Sequence, residues 1–294
     1  MKPNSITNMG IENFVVLILS HGRARNVVTY DTIRKHGYSG RVVIVIDNED
    51  SQKDDYILQF GRDNVFIFDK AEEAKRCDTY DNLSERRVIL FARNAAFWIA
   101  KKLGYRYFIE LDDDYVDFEW RYIEDGKAKG KNIKNLDAVW KVMLDFMMAT
   151  NSQTVAMCQN GDFVGGAGND MLLNQKLKRK AMNSFICDVE NPFEFRGRFN
   201  EDVNAYVGLG SVGKLFFSFP MVSLQQMTTQ KNAGGMSEAY KDNGTYVKSF
   251  YTVMANPSCV RIAYMGSKHK RLHHQIKWDD AVPKILSEEY RKSH

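Results

Sequence analysis

Four short runs of the chain are apolar at their centres without alternation: FVVLIL (14–19), RVVIVID (41–47), NVFIF (64–68) and YRYFIEL (105–111). A strand with one wet face alternates apolar and polar residues, so runs like these belong to strands covered on both faces. Helical patterns stand between them. One runs from about Asn26 to His36 and is closed by Gly37. The clearest is SERRVILFARNAAFWIAKKL (84–103), with Ser84 to cap it and Gly104 to stop it. Strand–helix alternation of this kind predicts an α/β fold, a Rossmann-type mostly parallel sheet flanked by helices. Ligands of such sheets collect beyond the carboxyl ends of the strands. Here those ends carry Ser20-His21-Gly22-Arg23, Asp47-Asn48-Glu49-Asp50, Asp69 and Asp112-Asp113-Asp114.

The second half reads less regularly. A helix is expected near 136–149, strands at 154–158 and 182–187, and a glycine-rich loop, GDFVGGAGND, at 161–170. Residues 201–209 read as a helix capped by Asn200, and LFFSFPMVSL (215–224) as a strand whose Pro220 suggests a sheet edge. A loop-like stretch (228–245), a helix (245–255) and a basic, histidine-bearing segment (267–277) complete the chain. With no repeat or obvious linker, residues 1–294 read as one domain. Within it a regular half, residues 14–114, precedes a less regular one, residues 115–294.

The bulk chemistry narrows the class. A chain 44% hydrophobic and 12% aromatic has ample core and is not disordered. A net charge of +4 permits a nucleic-acid partner without demanding one. Cys77, Cys158, Cys187 and Cys259 are scattered, with no Cys-x-x-Cys, which encodes neither a zinc knuckle nor a redox pair. The opening MKPNSITNMGIENF lacks the layout of a signal peptide, and no apolar run is long enough to span a bilayer. A cytoplasmic protein without membrane association is expected.

Three consecutive aspartates at a strand end repel one another and cannot be buried unpaired. They fit either a solvated turn or a cation site. Asp112 and Asp114 lie two apart, a spacing that lets both carboxylates converge on one hard cation, Mn²⁺ or Mg²⁺, while Asp113 points elsewhere or reaches a ribose. No phosphate-cradling glycine motif is present, so the cation would hold the phosphates. Glu201 and Asp202 open a helical pattern, where they suit the helix dipole or supply a general base. Gly165 and Gly166 allow close approach to a ligand. His273 and His274 can ligate Mn²⁺ or contact a diphosphate, or simply belong to an exposed basic strand.

The ordered set comprises a polar loop after strand one, an acid after strand two, Arg93-Asn94, Asp112-x-Asp114, the glycine loop, Glu201-Asp202 and a late histidine. Together it resembles the nucleotide-sugar glycosyltransferases of the GT-A fold. The strings YRYFIELDDDYVDFEWR, YVKSFYTVMANPSCVRI and LHHQIKWDDAVPKIL are similar to the TET-associated glycosyltransferases of bacteriophages. That resemblance implies transfer of a sugar from a nucleotide-sugar, typically a UDP-sugar, onto a hydroxymethylated DNA base, typically 5-hydroxymethylcytosine. It also implies roles: Asp112 and Asp114 on the metal, with His273 or His274, and His269 a third choice. Ser20, His21, Gly22, Arg23 and Asp47 would sit by the nucleoside, with Arg93 and Asp113 on the donor and Asp202 or Glu201 facing the acceptor. Lys176–Lys180 and Lys268–Arg271 would then track DNA phosphates, and a duplex base would need flipping. Three alternatives stay open: a glycan or protein acceptor, a metal-dependent nucleotidyltransferase, and a catalytically silent nucleic-acid-binding domain.

Overall fold

The apolar runs form neighbouring parallel strands in the computed structural model, which describes residues 11–163, 166–174, 177–227, 244, 246–266 and 270–284. β1 (Phe14–Leu19) pairs with β2 (Arg41–Asp47), β2 with β3 (Val65–Phe68), and β1 on its other side with β4 (Tyr107–Asp112). Along β1, Val16 and Ile18 face one core while Val15 and Leu17 face the other. This is the period-two alternation of a strand covered twice. The crossovers carry α1 (Val28–Lys35), α2 (Lys53–Phe60), α3 (Lys70–Ala74) and α4 (Leu90–Lys102). Phe91, Ala95 and Ile99 of α4 fill the second core, and α5 (Leu136–Thr150) brings Trp140, Met143 and Met147 to the first.

Between β4 and α5 lies a hairpin, β5 (Tyr115–Glu124) and β6 (Lys127–Asn132). After α5 come β7 (Thr154–Gln159), α6 (Asp170–Asn174), β8 (Ser184–Asp188), α7 (Glu201–Ser211) and β9 (Phe216–Gln226). The strands so far make one nine-stranded sheet in the order β3-β2-β1-β4-β8-β7-β9-β5-β6. Only β5 and β8 run against the rest, so the sheet is the mostly parallel one expected. α8 (Val247–Ala255) packs on a separate hairpin, β10 (Val260–Met265) and β11 (Arg271–Ile276). No helix among the described residues is long and apolar enough to cross a membrane. The four cysteines are free thiols.

Several local expectations are corrected. Ser84 does not cap α4, which begins six residues later with Ile89 before it. The intervening backbone is drawn elsewhere: the buried Arg198 donates to the carbonyls of Leu83 and Glu85. Asn200 precedes α7 at φ +53° but makes no side-chain cap. Pro220 does not mark an edge, because β9 lies between β7 and β5. The register against β7 jumps from Met157↔Phe219 to Cys158↔Ser223. Pro220 falls within that irregularity, where a missing N–H breaks no ladder bond.

Candidate active site

The register of the parallel strands sets the site. Leu19 pairs with Asp112, so Ser20, Asp47 and the aspartate triplet emerge side by side at the carboxyl edge. The first turn of α1 pins the triplet. Thr29 Oγ1 donates to the Asp112 carbonyl (2.6 Å) and accepts from Tyr115 N (2.8 Å), while Thr29 N donates to the Asp113 carbonyl (3.1 Å). Bonds on both sides of the turn hold its backbone in place.

Asp113 turns toward the loop after β1. It accepts from Ser20 Oγ (2.6 Å) and Arg23 Nη1 (2.9 Å), and Tyr56 OH bonds both Ser20 Oγ (2.7 Å) and Arg23 N (2.9 Å). Gly22, at φ +67°, donates its N–H to Asp50 (2.7 Å), a conformation that favours glycine. His21 Nδ1 lies 2.7 Å from Asp47 Oδ2, and Lys70 Nζ lies 3.2 Å from the same oxygen. Burial pushes the Asp47 carboxyl up, yet His21 and Lys70 more than offset it and hold it below its ordinary value. The loop is thus preformed, with His21 only half-buried at its mouth.

Arg93 organises the opposite side. It is fully buried on α4, its guanidinium 5.0 Å from the Phe185 ring and 5.7 Å from the Phe195 ring. Each nitrogen serves a different acid: Nε donates to Glu201 (3.0 Å), Nη1 to Glu110 (3.0 Å) and Nη2 to Asp112 (3.2 Å). Arg93 is therefore a buried hub and no exposed donor contact. Burial raises the carboxyls of Asp112, Asp113, Glu201 and Asp202, and lifts Glu110 to about 8. Asp114 is lifted to about 7 by burial and by the like charges of Asp112 and Asp113, with Gln226 Nε2 donating to it at 3.0 Å. Acids outnumber cations here among the described residues: Arg93 serves three acids, Arg23 pairs with Asp113, and Asp114 accepts from the Gln226 amide. Carboxylate oxygens are the donor type that Mg²⁺ and Mn²⁺ take, usually one or two of them with substrate phosphates completing the shell.

Glu201 and Asp202 open α7, buried beside Arg93. Asp202 Oδ1 accepts from Val203 N (2.7 Å), and Asp202 lies in the field of Lys248. Asn200 uses its amide to hold the C-terminal elements, donating to the Lys248 carbonyl (3.0 Å), Thr252 Oγ1 (2.9 Å) and His274 Nδ1 (3.2 Å). His274 thus contacts Asn200, the residue before Glu201 and Asp202. Burial and its neighbours His273 and Lys248 push it down to about 4, and His273 is also lowered, so both imidazoles are neutral near pH 7. Among the described residues no three His, Cys, Asp or Glu groups gather as a metal cluster. The two histidines and two aspartates are not one preformed ligand set.

Gly166 stands at φ +58° in a short 3₁₀ turn, while Gly165, Lys176, Lys268 and His269 lie outside the described residues. The first basic cluster is largely occupied: Lys180 pairs with Asp162, and Arg179 donates to the Trp278 and Ala281 carbonyls while stacking on the Trp278 ring. Those two side chains are engaged within the protein. Lys270 and Arg271 are exposed. Glu110, Thr29, Tyr56 and Gln226 were not anticipated. An acid at 110, two before Asp112 on the same face of a doubly covered strand, was the readable signal for the first.

The TET-associated glycosyltransferase family matches residues 14–235. No curated protein matches. Among solved structures, S. aureus TarS 1–349 in complex with UDP-GlcNAc is 14% identical, over 83% of this chain and 66% of that one, with a TM-score of 0.44. The same TarS fragment with UDP is 14% identical at a TM-score of 0.40, over 72% of this chain, which spans 60% of its length. Glucosyl-3-phosphoglycerate synthase from Mycobacterium tuberculosis, in complex with Mg²⁺ and UDP, is 8% identical over 90% and 87% of the two chains, with a TM-score of 0.43.

Proposed function

The chain belongs to the TET-associated glycosyltransferase family, and from that premise we propose that it moves a sugar from a UDP-sugar onto a hydroxymethylated base, 5-hydroxymethylcytosine, in DNA. The observation that carries the reading is the meeting, on Arg93, of a metal-type acid from the end of β4 with an acceptor-side acid from the start of α7. Asp112 and Asp114 would hold Mn²⁺ or Mg²⁺. Bound there, the ion supplies Lewis-acid neutralisation of charge on the departing diphosphate. The remaining work belongs to the chain. The Ser20–Arg23 loop, braced by Asp113 and Tyr56, and Asp47 with His21 form the nucleoside wall. Asp202 faces the acceptor hydroxyl. Its raised affinity for a proton, set by burial, suits a base that must accept one and release it. Glu201 is neutralised by Arg93 and orients that fork.

Residues 1–294 would act as one transferase, working in the cytoplasm of a host cell if the DNA is viral. The test is product analysis. The protein is incubated with Mn²⁺, mixed UDP-sugars and hydroxymethylcytosine DNA, and the DNA is digested to nucleosides for mass spectrometry. A hexose or pentose adduct on the modified base is expected. Donor turnover without a base adduct would overturn the DNA acceptor in favour of a glycan or protein, and DNA binding without donor turnover would favour a silent binder.

A further inference from the structure

Arg93 offers nitrogen donors to three carboxylates, but those carboxylates are not equally engaged. Glu110 is completely buried in the middle of the sheet, and it uses one oxygen only: Oε1 accepts from Arg93 Nη1, while Oε2 has no hydrogen-bond partner among the described residues. A buried carboxylate oxygen without a partner is expensive, since the desolvation cost of the group is not returned. A purely architectural ion pair between Arg and Glu would close both bonds of the fork, the stronger arrangement. Here the second bond is absent and Nη2 faces Asp112 instead at 3.2 Å, the longest of the three contacts. The rings of Phe185 and Phe195 hold the guanidinium in place, leaving its choice of acceptor as the available freedom.

We propose that Glu110 is a positioning residue for the metal site: its unpartnered Oε2 receives Arg93 Nη2 when Asp112 is drawn onto a divalent cation. The inference rests on the metal-diphosphate reading above. It follows from charge. A cation on Asp112 and Asp114 competes with Arg93 for the same carboxylate and repels the guanidinium. Without a second acceptor, a released N–H would be stranded in a buried site. Glu110 supplies that acceptor on the same buried fork, so Asp112 is given up without leaving Arg93 unpaired. Glu201 keeps its bond to Nε throughout, so the acceptor-side acid stays in register while the metal side changes partners. No bond is made or broken covalently; one hydrogen bond moves from Asp112 Oδ1 to Glu110 Oε2.

The test reads metal binding directly, without sugar transfer. Mn²⁺ affinity is measured by electron paramagnetic resonance titration in the presence of UDP, for wild type, Glu110→Gln and Asp114→Asn, with UDP affinity in EDTA as the control. In Glu110→Gln the Oε2 position becomes an amide N–H₂, which donates and cannot accept Arg93 Nη2, so Mn²⁺ should bind roughly tenfold more weakly or worse, the range for an outer partner of a metal ligand. UDP affinity in EDTA should stay at the wild-type value, which a merely architectural defect would not preserve. A wild-type Mn²⁺ affinity in folded Glu110→Gln would overturn the inference alone. Failure of the wild type to bind Mn²⁺ with UDP would overturn the metal reading and this inference together. Should Glu110→Gln not fold, a crystal structure of the wild type with Mn²⁺ and UDP decides: Arg93 Nη2 on Glu110 Oε2 supports the exchange, and Nη2 still on Asp112 overturns it.

Discussion

Glu201 and Asp202 are neighbours in sequence with different duties. Glu201 accepts from Arg93 Nε at 3.0 Å, which ties up its charge. Asp202 uses Oδ1 for its own helix and lies in the field of Lys248. Asp202→Asn keeps the shape, retains an oxygen for Val203 N and removes the base. Transfer should fall by roughly 10²- to 10⁴-fold, with UDP affinity by calorimetry within a factor of about two, below the usual effect of removing a hydrogen bond to a ligand. An equal loss of transfer and UDP binding would instead place Asp202 on the donor. The acids at 112, 114, 201 and 202 were legible because charged residues stood at the ends of patterned elements. Glu110 was passed over because it sits inside an apolar run that reads as core, although its place two before Asp112 on one strand face was a usable signal.

At the scale of elements, the parallel half was legible because apolar runs and crossovers obey simple periods. The β5–β6 hairpin was missed although its turn is Asp125-Gly126, both at positive φ, +51° and +68°. That pair suits a two-residue hairpin turn, but KAKGKN carries no apolar alternation to announce a strand. α2 was hidden by its polar surface in the same way. Side chains also override local patterns over distance. Arg198, only 1% exposed, makes a two-bond fork to Asp81 (2.7 and 2.7 Å), and Tyr251 of α8 donates to the same carboxylate (2.5 Å). This joins the loop before α4 to the C-terminal elements. Arg198→Ala leaves that acid without its cationic partner and should cost about 3–5 kcal/mol in urea unfolding; a loss under about 1 kcal/mol would show an exposed, weak pair. Burial pushes the Asp81 carboxyl up, but Arg198 and Tyr251 bring it below its ordinary value. The contribution is therefore full above the unfolded value near 3.8 and lost as pH falls through the lowered one. Replacing Asp81 with Asn should flatten that part of the acid-unfolding curve.

For the whole molecule, the mild excess of positive charge is not spread evenly over the basic clusters. Arg179 and Lys180 are committed to internal bonds, whereas Lys270 and Arg271 are exposed where β11 begins, on the strand that carries His273 and His274. If DNA lies along that hairpin, Lys270→Ala with Arg271→Ala should weaken binding and reduce the salt slope by about 0.9 for each phosphate no longer neutralised. Arg179→Ala should leave the slope unchanged and lower thermal stability through Trp278. The opposite pattern, read by anisotropy over a salt series, would move the DNA elsewhere. The proposed acceptor comes from family likeness alone, since no spacing of residues encodes a hydroxymethyl group.

The central claim is that Asp112 and Asp114, at the carboxyl edge of the sheet, hold the metal diphosphate of the donor. Sugar transfer to hydroxymethylcytosine DNA, followed by nucleoside mass spectrometry, tests it when the protein is stripped with EDTA and Mn²⁺ is titrated back. Wild type should be silent in EDTA and recover with Mn²⁺, while folded Asp112→Asn and Asp114→Asn stay silent at every Mn²⁺ concentration that saturates the wild type. Full transfer in EDTA, or undiminished transfer in both variants, would contradict it.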